Sequence, residues 1–206
     1  MSFRKEEKLK IRIGQLSNLL DWIYKNGGTE LHKPRIVSST YFDNDSWSMF
    51  NESEEGSVPR KKIRIRSYSR ELHSQNDSSL EVKTSSIEGR YKTITQNFDL
   101  QKMMSLGIFD QNYGICKPRV RITYQRTYYR IFSVRLTIDK NIEYHTVDGH
   151  RSSGHKIKDK EIAVEIKAAD GVPIEYLMKK FPFERIRFSK YSKAINSINN
   201  NKSENY

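Results

Sequence analysis

Lys62-Ile63-Arg64-Ile65-Arg66 is the stretch on which the fold turns. Successive side chains of a β-strand point to opposite faces, so Lys62, Arg64 and Arg66 share one face of this run and Ile63 and Ile65 the other. Four more stretches place charged residues at alternate positions with apolar ones between them: Glu6-Glu7-Lys8-Leu9-Lys10, Leu80-Glu81-Val82-Lys83, Val134-Arg135-Leu136-Thr137-Ile138-Asp139 and Val164-Glu165-Ile166-Lys167. A single strand of this kind is an ordinary half-exposed antiparallel strand with its charges in water. Five of them describe a sheet with one charged face. Cations outnumber anions on it, and like charges side by side are unfavourable unless an anion sits among them. The pattern therefore points to a polyanionic ligand.

Working outward, the 206 residues suit one domain with a sizeable core, expected over residues 1–198, with a polar, flexible tail at 199–206. A net charge of +12 fits an anionic partner without choosing among nucleic acid, membrane and phosphorylated small molecules. Cys116 is the sole cysteine, which excludes disulfide scaffolds and cysteine-based zinc sites. No apolar run approaches the roughly 20 residues of a membrane span, and the polar start Met1-Ser2-Phe3-Arg4 does not read as a signal peptide. A cytoplasmic protein is expected.

Helical spacing of Leu16, Leu19, Leu20 and Ile23, closed by Gly27-Gly28, predicts a short amphipathic helix. A second is expected around Leu100, Met103, Met104 and Leu106, stopped near Gly107. A third opens at Gly171-Val172-Pro173, and a last begins near Ser189 with Tyr191, Ala194, Ile195 and Ile198. Strands are expected from Ser38 to Asp43, in a long-tipped hairpin holding Arg66 and Lys83, and over 119–131 and 133–142. Residues 51–59 read as a loop, and 145–160 as a loop or wide hairpin tip. The apolar strand faces need cover, which these helices can supply. A barrel with charges inside and helices outside meets both requirements, although most barrels turn their apolar face inward.

Read together, Arg4-x-Glu6-x-Lys8, Ser39-Thr40-Tyr41-Phe42-Asp43, Lys62-x-Arg64-x-Arg66-x-Tyr68, Leu80-Glu81-Val82-Lys83, Tyr124-x-Arg126, Arg135-x-Thr137-x-Asp139, Glu165-x-Lys167 and Ser189-Lys190-Tyr191 resemble, in order and along nearly the whole chain, the polyphosphate polymerase (VTC) domain of the triphosphate tunnel metalloenzyme, or CYTH-like, superfamily. The resemblance implies an α+β fold: a closed antiparallel β tunnel barrel of about eight strands with a charged interior and several short helices packed outside. It implies a metal-dependent polyphosphate polymerase that moves the ATP γ-phosphoryl group onto a growing polyphosphate chain. Hydrolysis of tripolyphosphate or a nucleoside triphosphate on the same fold is the first rival. A non-catalytic polyphosphate or nucleic-acid binding module is the second.

The residue types suit that chemistry. Arginine meets phosphate oxygens bidentately and lysine as a point charge. Lys8, Arg64, Arg66, Lys83, Arg126, Arg135 and Lys190 are the catalytic candidates, with Lys62 and Lys167 as additional phosphate ligands. Carboxylates among them need a bridging cation: Glu165 first and Glu6 second, with Glu81 and Asp139 weaker candidates. Oxygen ligands suit Mn²⁺ or Mg²⁺. ATP and inorganic polyphosphate are the expected partners and nucleic acid is not. By analogy alone, a separate membrane protein would hold the chain at the inner face of a membrane. Two features depart from the pattern. Strict alternation puts Arg126 on the face of Val120, Ile122 and Tyr124, opposite Arg119 and Arg121. Lys92-Thr93-Ile94 lacks a second cation, which keeps Lys92 out of the ligand set. His32, His73, His145, His150 and His155 show no ligand spacing and receive no role.

Overall fold

A computed structural model describes residues 4–70, 77–148, 151–169, 172, 175, 179, 181–183 and 188–203. Among these the chain forms β1 (Arg4–Arg12), α1 (Leu16–Lys25), β2 (Thr29–Asp43), α2 (Ser48–Glu55), β3 (Arg60–Ser67), β4 (Ser78–Ser86), β5 (Gly89–Thr95), α3 (Leu100–Leu106), β6 (Ile108–Asp110), β7 (Gly114–Ile131), β8 (Val134–Asp148), β9 (Arg151–Lys158), β10 (Glu161–Ala169) and α4 (Lys190–Ser203). The ladder order is β1-β10-β8-β7-β2-β3-β4-β5, with β6 beside β7 and β9 beside β8. The α+β class is as expected. The closed barrel of about eight strands is not: this is an open path of eight strands with two more paired at its side, and no ladder among the described residues joins β5 to β1. The physical reason lies in β5, which is exposed along nearly its whole length and carries Arg90 and Lys92. Charged side chains on a short outer strand oppose further pairing.

Contacts group the chain into two compact units. The first comprises Met1–Arg35, Tyr124–Ile142 and Asp159–Phe188. Here β1 pairs antiparallel with β10, and β10 with β8. Leu9 and Ile11, Val164 and Ile166, and Leu136 and Ile138 form one core with Leu19, Trp22 and Ile23 of α1. Full burial of a side chain such as Leu9 or Ile23 contributes about 1.5–3 kcal/mol. The apolar side therefore holds this unit together. Helix α1 ends as Gly27-Gly28 predicts: Gly27 takes φ 73°, and the Gly28 amide donates to Ile23 O at 2.8 Å. A Cβ on Gly28 would lie 2.7 Å from that oxygen. The helix expected to open at Gly171-Val172-Pro173 falls largely outside the described residues. Phe181 is described, and its ring meets Trp22 edge-on at 5.0 Å.

The second unit comprises Ile36–Thr123, Glu143–Lys158 and Ser189–Tyr206. Strands β2, β3, β4 and β5 pair antiparallel in that order, placing Ile63 between Phe42 and Val82. Phe42, Ile63 and Ile65 pack with Met49 of α2 and Met104 of α3. Residues expected as a loop at 51–59 instead begin inside α2. Its amides at Met49 and Phe50 donate to the Asp43 carboxylate (3.1 and 2.9 Å), and Ser48 N donates to Asn44 Oδ1 (3.0 Å). The cap comes from a residue outside the helix, so no local signal announces the start. Likewise 145–160 is mostly strand: β8 runs on to Asp148 and pairs with β9, with a register shift between His145 and Val147. A run of polar residues and glycine such as Arg151-Ser152-Ser153-Gly154-His155 hides such a strand from a search for alternation. Helix α4 starts where predicted, burying Tyr191, Ala194, Ile195 and Ile198, and continues to Ser203.

Candidate functional site

In the second unit, Lys62, Arg64 and Arg66 project from β3 on the side away from Ile63 and Ile65, as the alternation requires. Ladder register sets three cross-strand rows on this face. The first opposes Lys62 to Lys83 and Lys83 to Lys92; the second sets Arg64 between Tyr41 and Glu81; the third sets Arg66 between Ser39 and Ser79. Arg64 and Arg66 are only 8% and 9% exposed, and Glu81 3%. Arg64 Nε donates to Glu81 Oε2 at 2.7 Å, and its Nη1 donates to the Tyr41 hydroxyl at 2.8 Å. Lys92 Nζ donates to Glu81 Oε1 at 2.6 Å, and Arg66 Nε to Ser39 Oγ at 3.3 Å. Burial alone would raise the Glu81 carboxyl, but Arg64, Arg66 and Lys92 outweigh it and draw it down to about 2. Glu81 is thus a hub for cations, and the weaker metal candidacy it had from sequence does not fit. Burial would likewise raise the Tyr41 phenol, yet Arg64, Arg66 and Lys62 lower it.

Ser189-Lys190-Tyr191 reaches this face. Lys62 Nζ donates to Ser189 Oγ at 3.1 Å and lies 5.9 Å from the Tyr191 ring centre. Tyr191 stacks on Tyr41 with centroids 5.0 Å apart, and its hydroxyl donates to Asp43 Oδ2 at 2.6 Å. Lys190 is half-buried at the start of α4.

The first unit carries its own charged face. Opposite the side of Leu9, Val164 and Leu136 stand Glu6 and Lys8 of β1, Glu165 and Lys167 of β10, and Arg135, Thr137 and Asp139 of β8. Their register pairs Glu6 with Lys167 and Lys167 with Arg135, Lys8 with Glu165 and Glu165 with Thr137. Lys8 Nζ is 2.8 Å from Glu6 Oε1, Lys167 Nζ 3.3 Å from Glu165 Oε1, and Arg135 is exposed. Arg126 joins them. Its Nε and Nη2 donate to the two oxygens of buried Asp139 at 2.6 and 2.7 Å, and Nη2 lies 3.9 Å from Glu165. This settles its parity within the unit: Arg126 lies opposite Tyr129 and Ile131, which belong to the core with Leu136. On its own face Arg126 lies 5.3 Å from the ring centre of Tyr124, which is buried like Val120 and Ile122, so apolar side chains accompany this arginine. Asp139, the other weaker metal candidate, is committed to Arg126.

Burial would raise the Glu165 carboxyl, but a hydrogen bond from Glu6, with Lys167, Lys8 and Arg126, holds it well below the usual range. Thr137 Oγ1, cross-strand from Glu165, is buried without a hydrogen-bond partner among the described residues. These are hard oxygen donors, and they fit Mg²⁺ or Mn²⁺. Among the described residues no three His, Cys, Asp or Glu side chains converge, so the protein would supply only part of a cation's shell. Sequence reasoning gave Tyr41 and Thr137 no role and kept Lys92 out of the ligand set. Placing Lys92 opposite Lys83 in the β4–β5 hairpin would have found one of them.

Such an arrangement defines an α+β protein whose antiparallel strands carry cation-rich faces opposite the apolar faces that pack on α1, α2 and α3. The VTC domain profile matches residues 3–105 and 89–199, overlapping stretches that take in nearly the whole chain, and the chain belongs to that family. Its fold is shared with solved structures of low sequence identity. An adenylate cyclase candidate of Bacillus halodurans superposes with TM-score 0.58 at 10% identity, covering 91% of this chain and 95% of its own. Another, of Vibrio parahaemolyticus, gives TM-score 0.53 at 15% identity, covering 90% and 95%. At such identities the likeness is one of fold. No curated protein matches the chain by sequence. Among the described residues no helix is long and apolar enough to cross a membrane.

Proposed function

We propose that this chain is a metal-dependent polyphosphate polymerase, transferring the γ-phosphoryl group of ATP to the end of an inorganic polyphosphate chain. The observation that carries the reading is the row Lys62, Lys83 and Lys92 across three adjacent strands, beside buried Arg64 and Arg66, in a chain of the VTC family. Directly opposed lysines destabilise a sheet, and their accumulation on the face with the arginines suits a ligand that brings several negative charges in a line. Arg64, Arg66, Lys62, Lys83 and Lys190 would bind phosphate oxygens on one face; Lys8, Arg126, Arg135 and Lys167 would do so on the other. Glu165 and Glu6 would hold Mn²⁺ or Mg²⁺, which when bound neutralises charge on phosphate oxygens.

The reaction asks for no protein nucleophile, because the terminal phosphate oxygen of the acceptor is already anionic. Cys116 could not serve as one: it is buried in the core, and burial pushes its thiol up to about 11. Catalysis on these faces is positioning and electrostatic stabilisation of the transferred group. Arg64, held by Glu81 and Tyr41 before any ligand arrives, meets the phosphate without first losing side-chain freedom. Incubation with ATP and Mn²⁺ followed by polyacrylamide electrophoresis tests the reading. A ladder of phosphate chains is expected; free phosphate without a ladder would replace it with hydrolysis on the same fold.

A further inference from the structure

A second group of cations gathers around Glu143 in the second unit. The Glu143 carboxylate is only 11% exposed, and Lys156 Nζ lies 2.7 Å from Oε1. His145 Nε2 is 3.8 Å and Arg70 Nη1 3.9 Å from Oε2, and Thr123 Oγ1 is 3.4 Å from the same imidazole nitrogen. His145 and Lys156 face each other across the β8–β9 ladder. Arg121, two residues before Thr123 on β7, acts electrostatically on His145. The plan repeats that of Glu81: an inner carboxylate fixes cations whose heads reach outward, with Arg70 67% and Lys156 36% exposed. Among the described residues Glu143 is one carboxylate set against two cations, Lys156 and Arg70. A surplus held this close to a half-buried imidazole is unfavourable until an anion joins it. Burial first, then Lys156, Arg121 and Arg70, keep His145 below the ordinary histidine range against the pull of Glu143. A neutral imidazole donates one N–H to an anion at neutral pH.

Chain geometry relates this group to the phosphate-binding face. Arg70 follows Arg66 by four residues, a reach of up to about 13 Å in extended backbone. We propose that Arg70, Arg121, His145 and Lys156 form a second anion subsite, which takes outlying phosphates of a condensed phosphate chain longer than a triphosphate. The inference rests on the polymerase reading for its ligand and deepens it: the protein distinguishes long chains from short ones.

The test measures binding of tripolyphosphate and of long-chain polyphosphate by calorimetry to the whole chain. The variant Arg70→Ala/Lys156→Ala removes two outward side chains and retains Glu143 and His145. Long-chain affinity should fall on the order of tenfold, as loss of two charge-assisted contacts implies, while tripolyphosphate affinity stays within about twofold. A control, Lys33→Ala/Lys102→Ala, removes the same charge from other exposed positions and should leave both affinities in place. Lys156→Arg should retain long-chain binding. Unchanged long-chain affinity in the Arg70/Lys156 variant, an equal loss for tripolyphosphate, or an equal loss in the control would overturn the subsite. Duplex DNA outcompeting long-chain polyphosphate at this site would overturn its ligand class. The polymerase reading fails separately: a wild type that makes no ladder from ATP, yet binds long chains through Arg70 and Lys156, loses the activity and keeps the subsite.

Discussion

Arg64 and Glu81 stand opposite each other in the β3–β4 ladder, with guanidinium Nε 2.7 Å from the carboxylate, on the face turned away from the core. Both are nearly inaccessible, so the pair sits in surroundings where removing one partner leaves the other's charge uncompensated. In the folded chain the Glu81 carboxyl lies at about 2, against an ordinary value of 4.5. A depressed carboxylate contributes stability that is fully present above its unfolded value and is lost as pH falls through the folded one. Wild type should therefore exceed Glu81→Gln by about 3 kcal/mol at neutral pH, and the gap should close between pH 4.5 and about 2. Urea titrations of both proteins across that range check this. A gap that persists unchanged at pH 2 would place the contribution of Glu81 elsewhere than in its charge.

Arg66 and Arg70 differ in what they serve. Arg66 is buried beside Ser39 and the Arg64–Glu81 pair, whereas Arg70 lies beyond the end of β3 with most of its surface in water. Arg66→Ala should weaken tripolyphosphate binding by about 1.5–3 kcal/mol, roughly ten- to hundredfold. Arg70→Ala should change it by less than about twofold. Equal losses, read by calorimetry, would mean that the short ligand is not seated on the face of Arg64 and Arg66.

Much of this was legible in the sequence, because each charged strand is backed by a helix. Alternation in Lys62–Arg66 or Val164–Lys167 states which side packs in the apolar core once α1, or α2 and α3, must be covered. The features that escaped depend on contacts distant in sequence. Asp43 reads as part of a β-rich run, yet its carboxylate caps α2 and receives the Tyr191 hydroxyl from 148 residues away. Arg126 looked misplaced because its strand buries side chains on both faces, Tyr124 on one and Tyr129 and Ile131 on the other. Alternation also says nothing of whether a sheet closes: that depends on its outer strands, and exposed, charged β5 leaves the path open.

Glu165 is the carboxylate best placed to need a cation, being grouped with Glu6 and ringed by Lys8, Lys167 and Arg126. Glu165→Gln is nearly isosteric. Metal-dependent turnover should be lost and the rise in melting temperature on adding Mn²⁺ abolished, with the circular dichroism spectrum unchanged. Full activity in this variant would remove Glu165 from the metal site.

Tyr191 ties α4 to the strand that carries Tyr41. Its buried hydroxyl donates to Asp43 at 2.6 Å, and burial together with that carboxylate raises its pKa. Tyr191→Phe keeps the ring stacked on Tyr41 and leaves one carboxylate oxygen with the Phe50 amide alone. Hydrogen bonds to charged groups contribute about 1.5–3 kcal/mol, so chemical denaturation should show a loss of that order. A loss below about 0.5 kcal/mol would mean that water replaces the hydroxyl without penalty.

Thr137 separates structural from functional roles most cleanly. Its side chain is 3% exposed, stands on the charged face opposite Glu165, and its hydroxyl has no hydrogen-bond partner among the described residues. A buried hydroxyl left unsatisfied costs about 1–3 kcal/mol, so a purely structural threonine here should be improved upon by valine, which has the same shape. If the hydroxyl instead meets phosphate or a metal-bound water, the same substitution removes a contact made only with ligand present. Thr137→Val should thus leave the melting temperature unchanged or raised while lowering turnover of ATP by about tenfold, the equivalent of one hydrogen bond. Activity that holds at the wild-type level in a stabilised variant would reduce Thr137 to a packing residue. Activity and stability falling together would show that the hydroxyl has a partner within the folded chain.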